Sequence, residues 1–230
     1  MLLDCCLFQG LRKEAVAKNA TFAFDPHTDI DAMILSHAHM DHVGRIPLLW
    51  KKGYRGPVIC TYATRDLAAV MLRDSGYIQE KDEEYFCKHF PQQRLPCEGP
   101  LYTQQDAADC MTLFQGKNYN DWFDVLPGVR AQFLDAGHIV GAALVVMDIE
   151  AGKGKGAGRP LRVGFSGDLG RPMLPIIRDP SAMPPVDVLI CESTYGNRKH
   201  EDVATAKHHL EEVVSKTAKR GGKVIIPAFS

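Results

Sequence analysis

The stretch Ala32-Met33-Ile34-Leu35-Ser36-His37-Ala38-His39-Met40-Asp41-His42 runs four apolar residues directly into a cluster of histidines and an aspartate. The apolar half predicts a buried strand over 32–36. Alternate strand residues share a direction, so a strand running into a short loop projects His37 and His39 the same way. Asp41 and His42 follow one turn later and can reach a second ion. Neutral imidazoles with a carboxylate are the donor set of a borderline-soft hydrolytic cation such as zinc. A polar loop whose histidines merely cap a helix would use the same residue types, but this density of ligands at a strand end favours metal.

The 230 residues, 45% hydrophobic and 24% charged, suffice for a globular chain of one large domain, or one domain and part of another. The net charge of −1 gives no global basic field, which argues against a module held on nucleic acid by phosphate contacts alone. The seven cysteines, at 5, 6, 60, 87, 97, 110 and 191, form no CxxC pair and read as reduced thiols, with Cys5 and Cys6 as small core residues. No apolar stretch is long enough for a membrane span, and the N-terminus lacks a secretory pattern.

Outward from the histidine loop, Met1-Leu2-Leu3 reads as a short terminal strand that would ordinarily be poorly held. Ile46, Leu49 and Trp50 recur at helical spacing with Pro47 in the first turn, and Lys51-Lys52-Gly53 stops that helix. Residues 58–62 read as the next strand. Residues 64–126 read as largely helical and inserted, with Thr64 capping one helix and Thr103 to Asp106 forming a capping box before another. Between these helices, 80–84 and 91–100 read as an exposed crossing. Strands are predicted at 129–134, 143–149, 161–166 and 186–191. Gly152 to Gly158 reads as a flexible hairpin tip whose neighbours Lys153, Lys155, Arg159 and Arg162 are solvated rather than phosphate-binding. An amphipathic helix over 202–219 ends at Gly221-Gly222, and 223–227 starts another strand. The alternation implies a layered α/β fold, and neither a P-loop nor a GxGxxG is present.

Two further strand ends carry ligand-type residues: Phe133-Leu134-Asp135-Ala136-Gly137-His138 and Val163-Gly164-Phe165-Ser166-Gly167-Asp168. The order Asp4, His37 to His42, His138, Asp168 resembles the metallo-β-lactamase superfamily. "DAGHIVGAA", "FSGDLG" and Cys191-Glu192-Ser193-Thr194-Tyr195-Gly196 with the following Asn-Arg resemble its β-CASP branch of RNA-processing nucleases, over nearly the whole chain. Cys6 stands where that branch usually has glycine, and Ala142 where it usually has serine.

The resemblance implies an incomplete αββα sandwich over 1–194 and the start of an inserted β-CASP α/β domain over 195–230. It implies two Zn2+ ions: His37, His39 and His138 on one, Asp41 and His42 on the other, Asp168 bridging, and Asp4 orienting a ligand histidine. Asp41 and Glu192 are the implied catalytic residues, Asp41 as ligand and proton acceptor, Glu192 as an acid supporting a catalytic histidine. The implied reaction is hydrolysis of single-stranded RNA, endonucleolytic or 5′-exonucleolytic, by hydroxide attacking phosphorus between ions about 3.5–4 Å apart. The implied setting is cytoplasmic, or nuclear in a eukaryote, without a membrane, in a homodimer or an RNA-processing complex.

Relatives of this branch carry two earlier strands and a longer C-terminal portion with two further histidines. The expectation is therefore a fragment that holds one zinc well, the second poorly, and cleaves RNA feebly. His27, His89, His200, His208 and His209 read as surface residues. The alternatives are a DNA-repair nuclease of the same branch, a non-catalytic scaffold that partners an active nuclease, against which the presence of every ligand expected in this span counts, and a small-molecule hydrolase. The helical segment between His42 and His138 disfavours the last.

Overall fold

The computed structural model describes residues 1–89, 99–150, 158–199 and 202–227, and divides into two units, Met1–Glu192 and Ser193–Ser230. In the first unit, strands β1 (Leu2–Leu3), β2 (Met33–Ile34), β3 (Val58–Thr61) and β4 (Phe114–Lys117) form a parallel sheet in that order. The register pairs Leu3 with Ile34, Ile34 with Ile59 and Ile59 with Gln115. Both faces of this sheet are covered at its centre, which is why β2 and β3 lie in largely apolar runs rather than alternating ones. On one face Leu2, Met33, Val58, Cys60 and Phe114 pack under helices α3 (Ile46–Lys51), α4 (Tyr62–His89) and α5 (Gln104–Cys110). On the other, Leu3, Ala32, Ile34 and Ile59 meet a second sheet. Ile34, Leu35, Leu49, Ile59 and Leu72 are fully buried. Each contributes roughly 1.5–3 kcal/mol relative to exposure.

The second sheet runs β5 (Trp122–Leu126), β6 (Val129–Asp135), β7 (Ala143–Ile149), β8 (Leu161–Phe165) and β9 (Val188–Ile190), antiparallel except for the parallel pair β8/β9. Phe133, Val145, Met147 and Val163 fill the space between the sheets. The far face of this sheet carries Leu134 and Leu144 beneath Met183 and the 136–142 loop. Asp148 there accepts from Arg130 at 2.9 Å and Arg162 at 2.6 and 2.9 Å, a rung of charge across three strands. The molecule is thus the mixed α/β, two-sheet architecture expected, with helices on the outer face of the first sheet.

Several expectations need correction. β1 is well held: Leu2 N donates to Ala32 O at 3.0 Å, Asp4 N to Ile34 O at 2.9 Å and Cys5 N to His42 O at 2.7 Å. Cys5 is buried but Cys6 is exposed, so only the first is a core thiol. The segment 64–126 is not simply helical. It ends in β4 and β5, whose short Phe-Gln-Gly-Lys and Trp-Phe-Asp-Val-Leu runs lack a clear period. Thr64 does not cap α4; Tyr62 opens that helix, and Thr61 Oγ1 accepts from Thr64 N at 3.1 Å. Residues 80–84 belong to α4 rather than to an exposed crossing; they continue one helix, in which the Glu80 carboxylate accepts from Gln104 N and Nε2, each at 2.8 Å. The 91–98 part of that crossing and the 152–157 tip lie outside the described residues, as does His200. Arg159 and Arg162 are not simply solvated, since they pair with Asp187 and Asp148. Helix α1 (Arg12–Ala20), with a mostly polar sequence and no side-chain cap, was not anticipated.

In the second unit, α6 (Val203–Lys219) starts at Asp202, whose carboxylate accepts from Thr205 N at 2.9 Å. Residues 223–227 are not a strand. No neighbouring strand pairs with them among the described residues.

Candidate metal centre

Four strand ends converge on one edge of the first unit. Asp4 follows β1, the histidine loop follows β2, His138 lies in the β6–β7 hairpin, and Asp168 follows β8. Carboxyl ends of strands are where layered α/β proteins hold ligands, because loops there are free to vary while the sheet fixes their roots. His39 stands just before the short helix α2 (Met40–Val43), which carries Asp41 and His42.

The donor atoms face one another. His39 Nδ1 lies 3.0 Å from His37 Nε2 and 3.1 Å from His138 Nε2. Asp168 Oδ2 lies 3.7 Å from His37 Nε2 and 3.5 Å from His138 Nε2. Its other oxygen lies 3.1 Å from His42 Nε2, and Asp41 Oδ2 lies 3.8 Å from that same nitrogen. Among the described residues three donor groups result: His37/His39/His138/Asp168 and Asp41/His42/Asp168, which share Asp168, and Asp4/His37/His42 behind them. Four donors held tetrahedrally at about 2.0–2.1 Å from zinc would stand about 3.3 Å apart. The first group fits that spacing. A proton on His39 Nδ1 could serve only one of its two imidazole neighbours at a time, whereas a single cation can accept a lone pair from all three rings.

Beneath the donors lies a relay that sets tautomers. The Asp4 carboxylate accepts from Ser36 N, Ser36 Oγ and His42 Nδ1, each at 2.7 Å. Because an ionised carboxylate only accepts, the Ser36 hydroxyl proton points at Asp4, and Ser36 Oγ therefore accepts from His37 Nδ1 at 3.0 Å. Both His37 and His42 are thus protonated at Nδ1 and turn Nε2 toward the centre. Asp4 is buried at φ 54, a left-handed conformation that aspartate tolerates better than most residues.

Electrostatics separates the histidines. Burial, with the charge of His42, lowers the His37 pKa to about 3, and burial with His138 nearby lowers that of His39. These rings stay neutral, with lone pairs available. Burial opposes a charge on His42, but hydrogen bonds to Asp168 and Asp4 outweigh it and raise its pKa to about 10. The bond with His42 in turn holds Asp168 down at about 2. Without metal, a proton on His42 Nε2 takes the place of a cation between His42 and Asp168.

The hairpin carrying His138 is bolted to the first sheet. Gly141 O accepts from Thr61 Oγ1 and Thr64 Oγ1, both at 2.8 Å, and Ala143 N donates to Ser36 O at 3.0 Å. Gly141 has φ +90, and a Cβ there would sit 2.5 Å from Thr64 N. Gly170 lets the chain after Asp168 press on the carbonyl of Gly137. Glu192 sits at the end of β9, its Oε1 accepting from Leu169 N at 2.6 Å and its backbone N donating to Ser166 Oγ at 3.0 Å. It braces the backbone beside Asp168, and no histidine contact of its carboxylate is present among the described residues. Ser36 and Thr61 were not singled out from sequence, and Thr64 only as a helix cap. Only Ser36 carried a signal, as a hydroxyl between a buried run and the first histidine.

No protein-family model matches the sequence. Over its full 230 residues the chain is 37% identical to Ribonuclease TTHA0252 of Thermus thermophilus, spanning 46% of that protein. Over its full length it is also 35% identical to Transcription termination factor FttA of Methanosarcina mazei, spanning 33% of it. The chain thus spans about half or less of the length of these relatives. No helix among the described residues is long and apolar enough to cross a membrane.

Proposed function

We propose, from this chain's membership of the β-CASP branch of the metallo-β-lactamase superfamily, that it carries the metal centre of a zinc-dependent phosphodiester hydrolase acting on single-stranded RNA. The observation that carries this is the convergence of His37, His39, His138 and Asp168, from three strand ends, with donor atoms 3.0–3.7 Å apart. Three imidazoles and a carboxylate would hold one ion, and Asp41, His42 and the second oxygen of Asp168 the other. When bound, a pair of zinc ions supplies water of lowered pKa and positive charge against the phosphodiester oxygens.

The chain's own residues do the rest. Asp4 and Ser36 hold His37 and His42 in one tautomer and one rotamer. Burial keeps His37 and His39 neutral. Asp41, whose side chain is half exposed, is the carboxylate at the mouth of the site and the one able to accept a proton from an attacking water. Glu192 keeps the Asp168 loop in place through Leu169 N. Four donors at the first position against three at the second give the first ion the higher affinity. The similarity to a ribonuclease of Thermus thermophilus supports RNA as the substrate.

Zinc analysis of the purified protein, with cleavage of end-labelled single-stranded RNA and DNA, tests this. The expected result is bound zinc, tightest at the four-donor position, and feeble RNA cleavage that a chelator abolishes; robust cleavage would overturn the expectation of a weakly active fragment. Zinc content near zero would favour a scaffold, and cleavage of DNA alone would favour a repair nuclease.

A further inference from the structure

Between Asp168 and β9 the chain runs through Arg171-Pro172-Met173-Leu174-Pro175-Ile176-Ile177-Arg178. Met173 is 89% exposed and Ile176 is 99% exposed, and both have positive φ, 64 and 74. A β-branched residue in that region is a conformational outlier, and such outliers persist only where the surroundings impose them. Here they do. Gly170 N donates to Ala136 O at 2.9 Å, Ser181 N to Asp135 O at 2.8 Å, and Met173 N to Asp179 Oδ1 at 2.7 Å. Both ends of the loop are therefore tied to the backbone that carries His138, and its start is two residues past Asp168. Arg171 and Arg178 are exposed, and neither makes an ion pair or a side-chain hydrogen bond among the described residues. At the five residues from Asp168 to Met173, no more than about 17 Å of chain separates this loop from the metal centre.

Two aliphatic side chains held in water on a strained, anchored loop, with an unpaired guanidinium on either side, match the surface of an unpaired nucleic-acid strand. Apolar side chains pack on the open faces of unpaired bases, and arginines take phosphates. A duplex hides its base faces, so the match is to single strands. Two side chains offer on the order of a few hundred Å2, less than the roughly 800 Å2 per partner of a stable protein interface. We propose that the 171–178 loop is a wedge for single-stranded RNA, in which Met173 and Ile176 part the bases next to the scissile phosphate and Arg171 and Arg178 hold the flanking phosphates. This rests on the ribonuclease function proposed above and adds the residues that grip its substrate.

The test measures binding of the zinc-loaded protein to a labelled phosphorothioate RNA, single-stranded and duplex, by fluorescence anisotropy over a range of salt. M173S/I176S should weaken single-strand binding about tenfold and leave duplex binding unchanged. R171Q/R178Q should reduce the slope of log K against log salt by about 1.4, two single-strand phosphate contacts. Zinc content and thermal midpoint verify that each variant is folded. Unchanged affinity and slope would overturn the assignment, as would equal losses on single strand and duplex. A wild-type dimer that dissociates in M173S/I176S would also overturn it, giving the loop to a protein contact. Wild-type protein that binds the RNA but leaves unmodified RNA uncut would instead overturn the ribonuclease function while the wedge stands.

Discussion

Replacing Asp4 by asparagine tests whether the relay beneath the metal centre sets its affinity. Asp4 Oδ1 faces Ser36 N, a group that can only donate, so the asparagine oxygen must take that position. The amide nitrogen then replaces Oδ2, where Ser36 Oγ and His42 Nδ1 both donated at 2.7 Å. His42 can meet an N–H only by giving up its Nδ1 proton, which moves to Nε2 and removes the lone pair aimed at the centre. Ser36, now accepting from the amide, releases its own proton toward His37 Nδ1 and pushes that ring the same way. The shape is preserved, so folding should change little. Losing support of this kind beneath metal ligands costs about 10–100-fold in affinity, or about 1.4–2.8 kcal/mol. D4A should behave differently: it orphans three buried donors at about 1–3 kcal/mol each, not fully additive, and should lower both zinc affinity and the urea midpoint. Zinc titration against a chelator of known affinity, with 15N spectra of the histidine rings, reads both effects. D4N with wild-type zinc affinity and unchanged His42 tautomer would refute the relay.

H39A removes the nitrogen nearest to both other imidazoles, and should abolish zinc at the first position and cut RNA cleavage by at least about 1,000-fold, on the scale of losing an electrostatic centre; metal analysis and labelled-RNA cleavage check it. Zinc entering beside His42 must displace the proton held there, because the pKa of that ring is raised from 6.5 to about 10. Calorimetry in buffers of differing ionisation enthalpy near pH 8 should show about one proton released by this group per second-site zinc. In the metal-free protein the stabilisation from charged His42 is fully present below pH 6.5 and fades as pH rises through about 10. D148N should cost about 2–3 kcal/mol in urea unfolding at neutral pH, since Arg130 and Arg162 both donate to this carboxylate. The hydrogen bond from Arg162 depresses its pKa, so the difference from wild type should shrink as pH falls through the acid range below 3.8. G141A places a Cβ against Thr64 at a positive φ and should destabilise by about 2–4 kcal/mol, read as a lower thermal midpoint.

The candidate metal cluster was legible because ligand chemistry leaves a local mark. His37, His39, Asp41 and His42 lie together in the chain, and a strand period fixes which of them face alike. His138 and Asp168 could be singled out because each follows an apolar run that reads as a strand. Strands β4 and β5 were missed because four or five residues of mixed polarity carry no period that survives chance; their pairing with β3 and β6 makes them strands. Thr64 was misread as a helix cap because a cap and a cross-chain hydrogen bond call for the same hydroxyl.

By itself, then, the sequence settled the layered α/β class and singled out the residues that converge as candidate metal donors, since both follow from short-range periodicity and side-chain chemistry. The tertiary structure alone decided that Ser36 links His37 to Asp4, that Asp168 lies between His42 and the other histidines, and that Met173 and Ile176 stand in solvent on an anchored loop. Those facts depend on distances between residues far apart in the chain, which only the packing of the two sheets sets.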